Sequence, residues 1–76
     1  MKLSAVKSGK SVKVLSTSLT GGLRLKLTTF GLDVGKIVTV EKTGENFIIS
    51  SGGKLLAVSK KVLDRIEVEI ESRNNR

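Results

Sequence analysis

The chain has 76 residues, enough for one small domain, and at this size folding buries only about 60% of the unfolded surface. It holds no cysteine and no histidine, which excludes disulfides and removes the usual zinc, haem and iron–sulfur ligands, the common general base and the thiol nucleophile. The net charge of +7 is uneven: residues 1–36 carry seven basic side chains against Asp33 alone, residues 37–76 seven against six acidic ones.

Leu3 to Gly9 reads as a short lead-in, with Ser4 placed to cap one turn and Gly9 to end it. Lys10 to Ser16 alternates around Val12 and Val14 and predicts a first strand. Thr17 to Thr20 is a polar connection. Gly21 to Gly35 contains the one helix of the chain, with Thr20 or Gly21 at its start. Leu23, Leu27 and Phe30 fall at i, i+4 and i+7 and form one apolar stripe, predicted to cover the core of the strands. Gly31 follows the stripe, where helices stop in a left-handed conformation that suits glycine, and Gly35 punctuates the approach to the next apolar run. Gly31 and Gly35 are thus expected as turn residues rather than contact residues.

Lys36 to Lys42 is a second strand with Val38 and Val40 on its inner face. Thr43 to Asn46 is a turn, and Phe47 to Ser50 a third strand with Phe47 and Ile49 inward and Ile48 outward. Ser51-Gly52-Gly53-Lys54 is a hairpin signal. Leu55 to Ser59 follows as a fourth strand, with Leu56 and Val58 inside, and Lys60 to Asp64 is one helical turn. Arg65 to Glu71 is the clearest strand, with Ile66, Val68 and Ile70 inward and Glu67, Glu69 and Glu71 outward. Five short strands and one helix after the first make a mainly β fold, a small, partly open barrel. The domain is expected to span residues 1–71, followed by a polar tail at 72–76 that frays.

The chemistry-bearing residues are few. Glu67, Glu69 and Glu71 share a face and could hold a hard cation weakly, but a metal cage needs ligands converging from several elements, so they read as a solvated strand face. Neither glycine pair has phosphate-loop spacing. With only Phe30 and Phe47 as aromatics, the stacking platform of a single-strand binder is missing. No catalytic constellation, metal site or cofactor is expected, and the protein reads as non-enzymatic. No apolar run is long enough to cross a membrane and no signal-peptide core follows Met1, so a soluble intracellular protein is expected. What remains is a binding surface. Leu25 lies about 200° around the helix from Leu23. It stands on the outer face between Arg24 and Lys26, with Thr29 one turn further on. These four, Arg24, Leu25, Lys26 and Thr29, are the candidate partner-binding residues.

The run Leu23-Arg24, Lys26-Leu27, Phe30-Gly31-Leu32 and Gly35 resembles the R-x-x-L-x-x-L-G-hydrophobic-x-x-G helix and turn of the FeoA family. Leu3-Ser4 with Gly9 is similar to that family's opening turn, Leu56 to Leu63 to its L-A-L-R-x-x-x-A strand and turn, and Ile66-Glu67-Val68 to its closing strand. The resemblance spans roughly residues 3–71. It implies an SH3-like barrel, a cytoplasmic location and an accessory role in bacterial ferrous iron uptake. The partner it implies is the cytosolic domain of a FeoB-like membrane transporter. A second copy of the chain is a further candidate partner, apart from the resemblance. The chain departs from the family at Thr43–Asn46, where many members carry a longer P-x-G-D-P loop; this chain has no proline. The alternative reading, a basic small barrel that binds nucleic acid, rests on charge alone and is the less favoured.

Overall fold

Segments with a two-residue apolar period, rich in Val and Ile, become strands because their branched side chains fit a pleated, half-buried surface. A computed structural model describes residues 1–71. An opening 3-10 turn (Leu3–Ala5) leads to β1 (Ser11–Thr17), α1 (Gly21–Phe30), β2 (Ile37–Lys42), β3 (Asn46–Ser51) and β4 (Lys54–Ser59). The one-turn helix α2 (Lys60–Leu63) and β5 (Ile66–Ile70) complete the order. The tail expected at 72–76 lies outside the described residues.

All pairings are antiparallel and the strand order is β4-β3-β2-β1-β5, so the last strand returns beside the first, as in an SH3-like small barrel. Register shifts between Val14 and Ser16 in β1, and between Val40 and Lys42 in β2, bend the sheet. The inner faces supply Val12, Val14, Val38, Val40, Phe47, Ile49, Val58, Ile66 and Val68, all buried. The opening turn and α2 lie against each other and bring Leu3, Val6 and Leu63 into the same core.

Three expectations are corrected here. Ser4 does not cap the opening turn: Lys2 occupies the N-cap position, and the Ser4 hydroxyl instead donates to Asp64 Oδ1. Ile70 is 44% exposed, because it ends β5 at the rim, beside Ile37, where the barrel offers no opposing layer. Leu56 does face inward and packs on the core as expected, but only half-buried, since β4 is an edge strand with a neighbour on one side. The helix is not the element that closes the core: of its ten residues only Leu27 is buried. The curled sheet, the opening turn and α2 do most of that work.

The row of glutamates on β5 is not uniform. Glu67 Oε2 accepts from Lys2 Nζ at 3.2 Å, and its Oε1 lies 3.4 Å from the Met1 amine. Glu69 is in register with Lys13 of β1. The Lys2 hydrogen bond first, and the terminal amine second, hold the Glu67 carboxyl below its ordinary value. A carboxyl depressed on folding contributes stability that is present above its unfolded value and lost as pH falls through its folded value. Glu67→Gln is therefore expected to be less stable than the parent at neutral pH, with the gap closing as pH falls below the ordinary carboxylate range and through the lowered value of the folded protein. Urea midpoints of both proteins across that range check this; a gap independent of pH would mean that the ion pair is not its source.

Candidate docking surface

Thr20 holds the N-cap position of α1 in an extended conformation, but its side chain makes no capping bond. The helix ends in a tightly bonded turn. Leu32 N–H donates to Leu27 O at 2.9 Å and Gly31 N–H to Thr28 O at 3.0 Å, the bond pair of a Schellman motif. Gly31 has φ +117° and Gly35 φ +87°. The second turn, Asp33–Lys36, is closed by Lys36 N–H to Asp33 O at 3.0 Å and tied to β1 by Gly35 N–H to Val14 O at 2.8 Å. Together these turns swing Leu32 back under the helix, where it shares a crevice with Val14, Leu19, Leu27 and Ile66.

The predicted apolar stripe is thus only partly seated. Leu27 is buried and Phe30 packs on the core from a half-buried position, but Leu23 is 42% exposed. Periodicity identified the side of the helix correctly without revealing that its first turn lies beyond the core's reach. Leu19 and Leu32 do the packing that Leu23 does not.

The outer face holds the four candidate residues in two arrangements. Leu25 is 67% exposed, and Thr29 Oγ1 donates back to its carbonyl at 2.9 Å, so these two form one ridge. Lys26 is exposed beside them and forms no ion pair among the described residues. Arg24 is drawn to the other side: its Nη2 lies 4.0 Å from Asp33 Oδ1, which also accepts from Val34 N–H at 2.8 Å. Asp33, which orients Arg24, is the residue that sequence reasoning missed. The fold-back at Gly31 brings it there, and no spacing rule would show it. The result is a solvent-facing leucine with Lys26 beside it, on a helix anchored by one buried residue.

A second concavity, about 730 Å³ and open to solvent, lies between the opening turn, the β2–β3 turn and α2, lined by Ser4, Lys7, Thr43, Glu45, Phe47 and Lys60. Among the described residues no buried side-chain nitrogen or oxygen lacks a hydrogen bond, and no three acidic side chains gather at metal-holding distance. No helix among them is long and apolar enough to cross a membrane.

The FeoA domain family model matches residues 1–70. No curated protein matches the chain. Among solved structures, the FeoA protein from Chlorobium tepidum superposes with a TM-score of 0.89 at 27% identity, over 99% of this chain and 74% of that one. A crystal structure of an iron uptake regulatory protein (FeoA) gives 0.83 at 28% identity, over 93% and 96%. Iron(II) transport protein A from Clostridium thermocellum gives 0.84 at 25% identity over 92% of this chain, which spans 45% of that protein. A family match over residues 1–70, on the same barrel and the same helix and turn, means that the chain belongs to the FeoA domain family, small proteins associated with iron transport.

Proposed function

We propose that the protein is a non-enzymatic interaction module that docks on the cytosolic domain of a FeoB-like ferrous iron transporter and modulates it. The observation that carries this reading is Leu25, two-thirds exposed on a helix whose only buried residue is Leu27. An exposed leucine with Lys26 beside it, and Arg24 turned toward Asp33 at the far border, suits a docking contact with an apolar centre and a charged rim. Membership of an iron-transport family supports the choice of partner, and a cytoplasmic location follows from that choice. The net charge of +7 gives the nucleic-acid reading its one support.

Leu25→Glu tests the helix face. Because the side chain is exposed and makes no core contact, the substitution is expected to change stability by only about 0.5 kcal/mol. It should nonetheless abolish capture by the transporter's cytosolic domain, because a charge would enter the desolvated centre of the interface. Urea melts beside a pull-down check both halves. A variant that binds as well as the parent would remove this face from the docking surface.

A further inference from the structure

β4 forms one edge of the sheet and pairs only with β3. Lys60 N–H donates to Glu45 O at 3.1 Å, and this bond sets the phase of the ladder. Bonded and non-bonded positions alternate in an antiparallel pair, so Phe47–Val58, Ile49–Leu56 and Ser51–Lys54 are the bonded pairs. Leu55 and Ala57 therefore turn both N–H and C=O toward the open edge. Neither has a strand partner on that side among the described residues.

The opposite edge is treated differently. Met1 O accepts from Val68 N–H at 2.8 Å, the Met1 amine donates to Val68 O at 3.1 Å, and Lys2 bridges to Glu67. The chain thus covers part of the β5 edge with its own first residues and leaves β4 open. Protein edges are commonly blunted by proline, a bulge or charged side chains, lysine above all, along the strand, whereas the lysines of this edge stand only at its two ends. The chain has no proline, and the β3–β4 register runs without a shift. Leu55 is 68% exposed beside this edge. Lys54 stands at one end and Lys60 and Lys61 at the other, and none of the three forms an ion pair among the described residues.

We propose that the β4 edge is a second docking surface, which takes an extended acidic segment of another protein as an added strand. Backbone bonds from Leu55 and Ala57 provide the pairing, an apolar residue of the segment covers Leu55, and its carboxylates meet the lysines at both ends. Charge disfavours a second copy of the chain, which would bring three more lysines to the same edge; in the register centred on Ala57 it would set Lys54 of one copy directly opposite Lys60 of the other. This surface does not depend on the α1 reading, and its test is separate.

The test uses the full chain, labelled for amide detection, and the peptide acetyl-Glu-Val-Glu-Val-Glu-Val-Glu-amide. At saturation, hydrogen exchange at the Leu55 and Ala57 amides is expected to slow by about tenfold or more, while Leu25 and Thr29 are unaffected. The same peptide with Lys in place of Glu should have no effect. The variant carrying Lys54→Glu, Lys60→Glu and Lys61→Glu should reverse the preference between the two peptides. Unchanged exchange at Leu55 and Ala57 would overturn the proposal, even if lysine signals shift. So would equal protection by both peptides, or protection that develops when the chain alone is concentrated, which would give the edge to a second copy.

Discussion

Leu27→Ala is expected to lower stability by about 2–3 kcal/mol, toward the lower end of the range for core leucine truncation. Leu27 is 4% exposed and is the one buried residue of α1. It shares a crevice with Val14 of β1, Ile66 of β5, Leu19 before the helix and Leu32 after it. Truncation therefore removes a side chain that joins four separate segments. The lower part of the range applies because the helix is otherwise largely exposed and can settle toward the barrel. In a domain of this size the loss is a large fraction of the total. Leu23→Ala is the matched control: on the same side of the helix but 42% exposed, it should cost well under half as much. Urea midpoints of the two variants check the seating. Equal losses would mean that the helix rests on its first turn as firmly as on its second.

Gly31→Val should be comparably damaging for a different reason. A β-branched residue at φ +117° is strained, at a cost of about 1–3 kcal/mol. An added Cβ would also stand 2.7 Å from Ser51 Oγ, so the β3 side chain must move. The Schellman bonds that return Leu32 to the core depend on the same backbone conformation. Gly31→Ala tightens the test, keeping the contact with Ser51 but shedding β-branching, and should fall between Val and the parent. An unchanged denaturant midpoint for Gly31→Val would show that the helix does not end in this turn.

The parts of the fold that depend on local pattern were legible in the sequence. Alternation in residues 36–42 and 65–69 placed Val38, Val40, Ile66 and Val68 on the inner face, and Gly52-Gly53 marked the hairpin now seen with positive φ at both glycines. Alternation failed at Ile70, because period reports a face and not where the opposing layer stops. The helical period failed at Leu23 for the same reason. Leu3, Leu19 and Leu32 are isolated apolar residues in turns or connections, where no period exists to assign them inward. At the candidate site, the angle about the helix axis was enough to put Leu25 and Thr29 on the outer face. The diversion of Arg24 toward Asp33 follows from the left-handed turn at Gly31 and needed the fold.

The most direct test of the docking account is calorimetric titration of the intact protein at two salt concentrations. One arm uses the cytosolic domain of a FeoB-like transporter, the other duplex and single-stranded oligonucleotides. Binding through phosphates loses affinity steeply with salt, in proportion to the phosphates neutralised, whereas contact centred on Leu25 depends on it weakly. The account predicts saturable binding to the transporter domain that changes little with salt, and no tight binding to either oligonucleotide. Failure to bind the transporter domain, with salt-sensitive binding to an oligonucleotide instead, would contradict it.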